Sequence, residues 1–251
     1  MNLEIRDINK TFKNEKTFNH VLEDISLTVE KGQFVSLLGP SGCGKTTLLT
    51  IIAGFQKADS GEILVEGKRV TKPGPDRGFV FQNYALFPWM NVRDNIMFPM
   101  KQQGMKKEER ERKLAELLKL AHLEGNEKLF PHQISGGMKQ RTAVVRALAC
   151  QPELLLMDEP LGAVDFQMRH LLQEELEDLV INAKTTAVMV THDVEEAIYM
   201  SDRVIVMSRD KGKILEDMSI DMERPRDRKS ERYSEYKEML TEVLKEALAG
   251  K

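Results

Sequence analysis

The segment Gly39-Pro40-Ser41-Gly42-Cys43-Gly44-Lys45-Thr46 gathers glycines, a lysine and a hydroxyl at the spacing G-x-x-x-x-G-K-[ST]. Glycines let a backbone curl until its N–H groups point inward at an anion. A helix opening at Lys45 turns its positive end on the same point. The chemistry is that of a triphosphate cradle. Lys45 is placed for the β- and γ-phosphate oxygens and the Thr46 hydroxyl for a Mg²⁺ ion, with Thr47 beside them in the nucleotide-binding set. A second locus is Asp158-Glu159, at the end of the apolar run Leu154–Met157. Adjacent side chains on an extended chain point different ways, so one acid can serve the metal and the other the attacking water. Acids near a helix start also act as caps, but the cradle upstream favours the chemical roles.

Elements must position these groups. Phe34–Leu38 runs into Gly39, Leu154–Met157 into Asp158, and Thr186–Val190 into Thr191-His192. Short apolar runs of this kind suit strands buried on both faces of a parallel sheet. Arg203–Met207 is a fourth. Helical patterns fill Lys45–Gly54, Phe166–Asn182 and Asp193–Met200. The alternation predicts an α/β core. At the front, Leu3–Ile8, Asp24–Val29 and Gly61–Val65 read as a small antiparallel sheet. Residues from about 91 to 150 are mostly helical and too long for a simple crossover, so they read as an inserted helical lobe. After Pro225 a charged stretch leads to a stripe of Tyr236, Met239, Leu240, Val243, Leu244 and Ala247, which predicts a terminal helix packed on the core.

The whole composition is that of an ordinary globular chain. Of 251 residues, 41% are hydrophobic and 31% charged, with a net charge of −3. That balance fills a core and offers no bulk attraction to a polyanion, so no nucleic-acid partner is expected. Cys43 and Cys150 are the two cysteines, too few for a disulfide scaffold. No stretch approaches the 18 to 20 apolar residues or so that a spanning helix needs, and the first ten residues carry no apolar signal core. Any membrane role is expected to run through a partner, from the cytosolic side.

The order of the phosphate loop, Gln82, Ser135-Gly136-Gly137-Met138, Asp158-Glu159, Asp165 and His192 resembles the nucleotide-binding subunit of ABC transporters, over about residues 2–225. The resemblance implies a P-loop NTPase fold that binds and hydrolyses ATP with Mg²⁺. Asp158, Thr46 and Gln82 would serve the metal. Gln82 would also touch the attacking water that Glu159 activates, and His192 would contact the γ-phosphate. Ser135, Gly136 and Gly137 would grip the γ-phosphate bound to a second copy of the chain. Leu161–Asp165 would cross the seam between the copies. Phe12 resembles the aromatic that stacks on adenine, with Phe18 as a rival. Met138 stands where Gln is commonest, and Gly162 and Val164 where Ser and Leu are usual.

The segments Asp76–Gln82, Leu86–Trp89 and Ile134–Arg141 look most like the nitrate, sulfonate and taurine importer branch. That implies a separate permease, an extracytoplasmic solute-binding protein and a place on the cytoplasmic face of the membrane. The aromatic stretch Asn83–Met90 either packs between lobes or forms a groove for a permease helix. The implied organisation is a nucleotide-binding domain over 1–225, with the helical lobe at about 91–150, and a helical tail over 226–251. Non-transport members acting on DNA or ribosomes carry a long coiled coil or two cassettes, and neither fits this chain. A regulator without turnover would lack Glu159 or His192.

Overall fold

The computed structural model describes residues 1–13, 18–162 and 166–249. The chain divides into two compact units, Met1–Gly74 with Thr186–Lys251, and Pro75–Thr185.

The first unit contains an antiparallel sheet ordered β2-β1-β4-β5, with β1 at Leu3–Lys13, β2 at Phe18–Val29, β4 at Ser60–Val65 and β5 at Lys68–Arg69. Both long strands exceed the expected bounds. Their pairing continues past irregularities at Ile5/Ile8, Ile8/Lys10 and Lys10/Thr11, and such slips break the period-2 pattern that would betray a strand. The same unit holds the parallel strands β3 (Phe34–Leu38), β8 (Thr186–Thr191) and β9 (Arg203–Met207), edged by antiparallel β10 (Ile214–Ser219). Every residue of β3 and β8 is buried, as their mainly apolar runs require. Each fully buried aliphatic side chain there contributes about 1.5–3 kcal/mol. Helices α1 (Lys45–Ile52), α6 (Val194–Met200) and α7 (Glu231–Ala249) complete the unit.

The second unit carries parallel strands β6 (Arg77–Val80) and β7 (Leu154–Asp158). Between them in the chain come α2 (Val92–Gln102), α3 (Lys107–Leu120), a short 3₁₀ turn at Pro131–Gln133 and α4 (Gly136–Leu148), and α5 (Phe166–Asn182) follows. Asn91 caps α2 by accepting from the Asp94 N–H at 2.7 Å. The α/β class, the mainly parallel strands, the N-terminal antiparallel sheet and the helical insertion all match the expectation. On α7 the buried face differs in detail. Tyr236, Leu240 and Ala247 are buried as expected, Met239 is 42% exposed, and Tyr233, outside the expected stripe, is 2% exposed. No helix among the described residues is long and apolar enough to cross a membrane.

Candidate functional site

In the first unit the cradle forms where β3 passes into α1. Gly39, Pro40, Cys43, Gly44 and Lys45 are buried, while Ser41, Gly42 and Thr46 lie exposed and Thr47 half-buried. Gly44 is the N-cap of α1 at φ 103°, and a Cβ there would lie 2.8 Å from Leu22 Cδ2 and 2.9 Å from the Val21 carbonyl oxygen. Only glycine meets both demands, the left-handed backbone and the close approach of β2. Lys45 is 4% exposed. Its Nζ donates to the carbonyls of Gly39 at 2.7 Å and Pro40 at 2.9 Å. Two backbone acceptors therefore hold a buried cation within the loop, where an anion seated on the N–H groups of α1 would meet it. Burial pushes the Cys43 thiol up, against the opposing pull of Lys45. Cys43 is 1% exposed, packed within the loop rather than presented as a nucleophile.

His192 belongs to the same unit. Leu38 pairs with Thr191 across the parallel β3–β8 ladder, so the cradle and His192 leave adjacent strands at the same sheet edge, where ligands of parallel sheets collect. The turn around His192 is tightly bonded. Thr191 Oγ1 accepts from the Asp193 N–H at 3.0 Å and also bonds the Glu196 carboxylate, and Asp193 caps α6 by accepting from the Glu196 N–H at 3.1 Å. Phe12, near the end of β1, is 38% exposed and lies under the Lys10 ammonium, 5.4 Å from its ring centroid. Phe18 is 68% exposed.

In the second unit the register of β6 and β7 pairs Val80 with Met157. Two residues further on, Gln82 Nε2 donates to Glu159 Oε2 at 3.1 Å. The chain turns at Glu159, whose φ of 44° is left-handed. A non-glycine residue there stores strain of order 1 kcal/mol, and the turn, rather than an extended chain, separates Glu159 from Asp158. Gly162 donates its N–H to the Glu159 carbonyl at 3.0 Å. A Cβ on Gly162 would lie 3.3 Å from Gln82 Nε2 and 3.4 Å from Glu159 Oε2. The glycine in place of the usual serine thus leaves the Gln82–Glu159 pair room that a side chain would contest. Asp165, with Ala163 and Val164, lies outside the described residues.

Ser135 caps α4, its hydroxyl accepting from the Met138 N–H at 3.3 Å. Ser135 and Gly136 are exposed and Gly137 half-buried at this helix start, which presents N–H groups to an anion. Met138 offers its backbone to the cap, while its carbonyl accepts from Thr142 Oγ1 at 2.7 Å. The substitution of Met for Gln therefore leaves the cap intact.

The segment after Gln82 packs by one side and exposes the other. Phe87 sits 4.8 Å from Phe98 and under Arg146, whereas Trp89 is 70% exposed. Asn95, fully buried on α2, accepts from the Phe87 N–H at 2.9 Å and donates to the carbonyls of Phe87, Met90 and Asn91. Arg146 donates to the carbonyls of Tyr84 and Ala85. Both residues hold this loop, and sequence reasoning missed them because their partners are remote in the chain or belong to the backbone. Beside the loop, Phe79, Phe81, Phe87, Phe98, Ala147 and Cys150 line a largely apolar groove of about 490 Å³.

The residues present fit Mg²⁺ and a nucleoside triphosphate. The cradle has the left-handed glycine and the held lysine, and Thr46 in the first unit, like Asp158 and Gln82 in the second, carries an oxygen donor of the kind a hard cation takes. Among the described residues no three His, Cys, Asp or Glu side chains cluster as a metal site by themselves.

Comparison with known proteins gives the family. The family described as ABC transporter matches residues 22–162. An ABC transporter ATP-binding protein of Methanocaldococcus jannaschii is 45% identical, covering 97% of this chain and 91% of its own. The aliphatic sulfonates import ATP-binding protein SsuB of Bacillus cereus is 43% identical over 94% of this chain and 92% of its own. The nitrate import ATP-binding protein NrtD of Synechocystis is 44% identical over 94% and 88%. Among solved structures, the dimeric post-hydrolysis state of the ATP-binding cassette MJ0796 bound to ADP and Pi superposes with a TM-score of 0.74. It is 31% identical and covers 88% of this chain and all of that one.

Proposed function

The chain belongs to the ABC transporter family as an ATP-hydrolysing subunit, and from that premise we propose that it energises import of a small solute of the nitrate, sulfonate and taurine class through a separate permease. The observation that carries this reading is a phosphate cradle set in a chain that matches sulfonate and nitrate import ATP-binding proteins over 94% of its length. Under it, residues 1–225 form the nucleotide-binding domain, with the helical lobe at about 91–150, and residues 226–251 form a tail. The protein works at the cytoplasmic face, bound to the permease, and an extracytoplasmic solute-binding protein delivers the solute.

The site residues divide the work. The backbone from Gly39 to Gly44 and the N-terminus of α1 bind the phosphates, and Lys45 offsets their charge. Phe12 stacks on the adenine, which needs only a π-face. Thr46, Asp158 and Gln82 would hold Mg²⁺, which would supply Lewis-acid stabilisation of the charge on the phosphates. Glu159 orients and deprotonates the attacking water, and the amide of Gln82 fixes the carboxylate that does so. His192 donates to the γ-phosphate. Two copies pair head to tail, with Ser135, Gly136 and Gly137 of one gripping the nucleotide of its mate and Asp165 crossing the seam. ATP closes the pair because it contacts both copies, and hydrolysis releases them.

The groove beside Gln82 receives a short cytosolic helix of the permease, with Trp89 at its edge. Detergent-solubilised membranes and the tagged full-length chain test the assignment. Wild type is expected to capture a polytopic permease and to hydrolyse ATP faster in its presence. Trp89→Ala should keep the ATPase rate of the isolated chain and capture less permease. Recovery of a soluble partner and no membrane protein would contradict the reading.

A further inference from the structure

Several polar contacts of the C-terminal segment converge on a single short helix. Helix α6 begins two residues after His192, so its placement fixes the turn that presents the histidine. Seven residues are too few to hold a helix by its own hydrogen bonds. At its first turn, buried Tyr233 of α7 donates its hydroxyl to the Glu195 carbonyl at 3.1 Å, and Lys237 of α7 pairs with the Glu195 carboxylate. At its last turn, Arg226, 4% exposed, donates to the carbonyls of Ile198 at 2.6 Å and Tyr199 at 2.9 Å. Arg224 donates to the Met200 carbonyl at 2.8 Å and pairs with Asp202. The Arg228 guanidinium lies 3.5 Å over the Tyr199 ring. The last carbonyls of a helix lack partners within it, and its C-terminus favours cations. Arg224 and Arg226 meet both needs, and Arg228 adds a third cation there. Asp202 in turn accepts from the Phe34 N–H at 2.8 Å at the start of β3, and Ser201 bonds Ser36 within that strand. The strand that carries the cradle and the helix that follows the histidine are thereby tied to one tail.

We infer that the segment Arg224–Lys237 positions His192, by clamping α6 at both ends, and so sets the turnover rate rather than nucleotide affinity. A terminal segment that only covered apolar surface would not need to address the backbone carbonyls of α6 at both ends. Tyr233 and Lys237 are positioning residues, since they reach the substrate only through α6. The inference rests on the proposed contact of His192 with the γ-phosphate.

The test uses the full-length chain as His192→Ala, Tyr233→Phe, Tyr233→Phe with Lys237→Ala, and Lys237→Arg. It combines steady-state ATPase rates, ATP affinity by calorimetry, and amide hydrogen exchange. His192→Ala should lower kcat by about a hundredfold, as loss of one transition-state donor does. The double variant should lower kcat by about tenfold, with ATP affinity within about twofold of wild type. Its exchange should quicken across residues 192–200 and remain unchanged in β3 and β8. Lys237→Arg, which keeps the charge, should return wild-type kcat. A double variant with wild-type kcat overturns the inference, as does one whose affinity and overall protection fall together with its rate. Full turnover in His192→Ala overturns the reading of His192 and the inference with it. Loss there without loss in the double variant overturns the inference alone.

Discussion

At the scale of single residues, two contacts carry the proposed chemistry: the lysine held by its own loop and the amide–carboxylate pair of Gln82 and Glu159. Lys45→Ala removes a buried cation from the cradle, and a charged hydrogen bond is worth about 1.5–3 kcal/mol. ATP affinity measured by calorimetry should fall by about tenfold or more, and unchanged affinity would contradict the cradle assignment. Gly162→Ala brings a methyl to 3.3 Å from Gln82 Nε2. Its expected outcome is a lower kcat at unchanged ATP affinity, read from steady-state rates beside a calorimetric titration. A variant whose affinity alone changed would show that position 162 does not act through the Gln82–Glu159 pair. The motif residues were legible because each motif is local in the chain. The cost of a side chain at 162 was not, since it arises from Gln82, about eighty residues away in the chain.

Among the elements, the strands that end in chemistry were the most legible. Burial on both faces favours nearly continuous apolar runs, and β3, β7 and β8 show them. Less legible were β1 and β2, where irregular pairing scrambles the alternation, and the loop after Gln82. Its aromatics pointed to packing and to docking at once. The structure shows Phe87 packed and Trp89 exposed. Asn95 explains how the loop keeps that division, and no pattern in the chain singles out one asparagine inside α2. Asn95→Ala would leave the Phe87 N–H and three carbonyls without this partner. Stability should fall by about 1–3 kcal/mol, measured by urea denaturation, and permease capture should weaken with it. A fully stable Asn95→Ala protein would contradict the loop-holding role. Tyr233 was missed for a similar reason. It lies before the apolar stripe of α7, and its hydroxyl answers to α6 rather than to its own helix.

For the whole molecule, burial raises the thiols of Cys43 and Cys150 and the phenols of Tyr84 and Tyr233 above their ordinary values. Each group keeps its proton longer folded than unfolded. The stability it contributes is complete below the unfolded pKa and is lost as pH rises toward the folded one. Thermal midpoints should therefore stay level to about pH 8 and decline beyond it, and a midpoint that rose in that range would contradict the burial of these groups. The central claim concerns two molecules rather than one, namely that ATP joins a cradle in one copy to the Ser135–Gly137 turn of the other. Sedimentation of Glu159→Gln tests it most directly, because slowed hydrolysis leaves the bound triphosphate intact. With ATP and Mg²⁺ the variant should shift from monomer to dimer, with ADP it should not, and adding Gly136→Asp should abolish the shift while ATP still binds. A variant that binds ATP and stays monomeric, or a dimer indifferent to Gly136→Asp, would contradict the account.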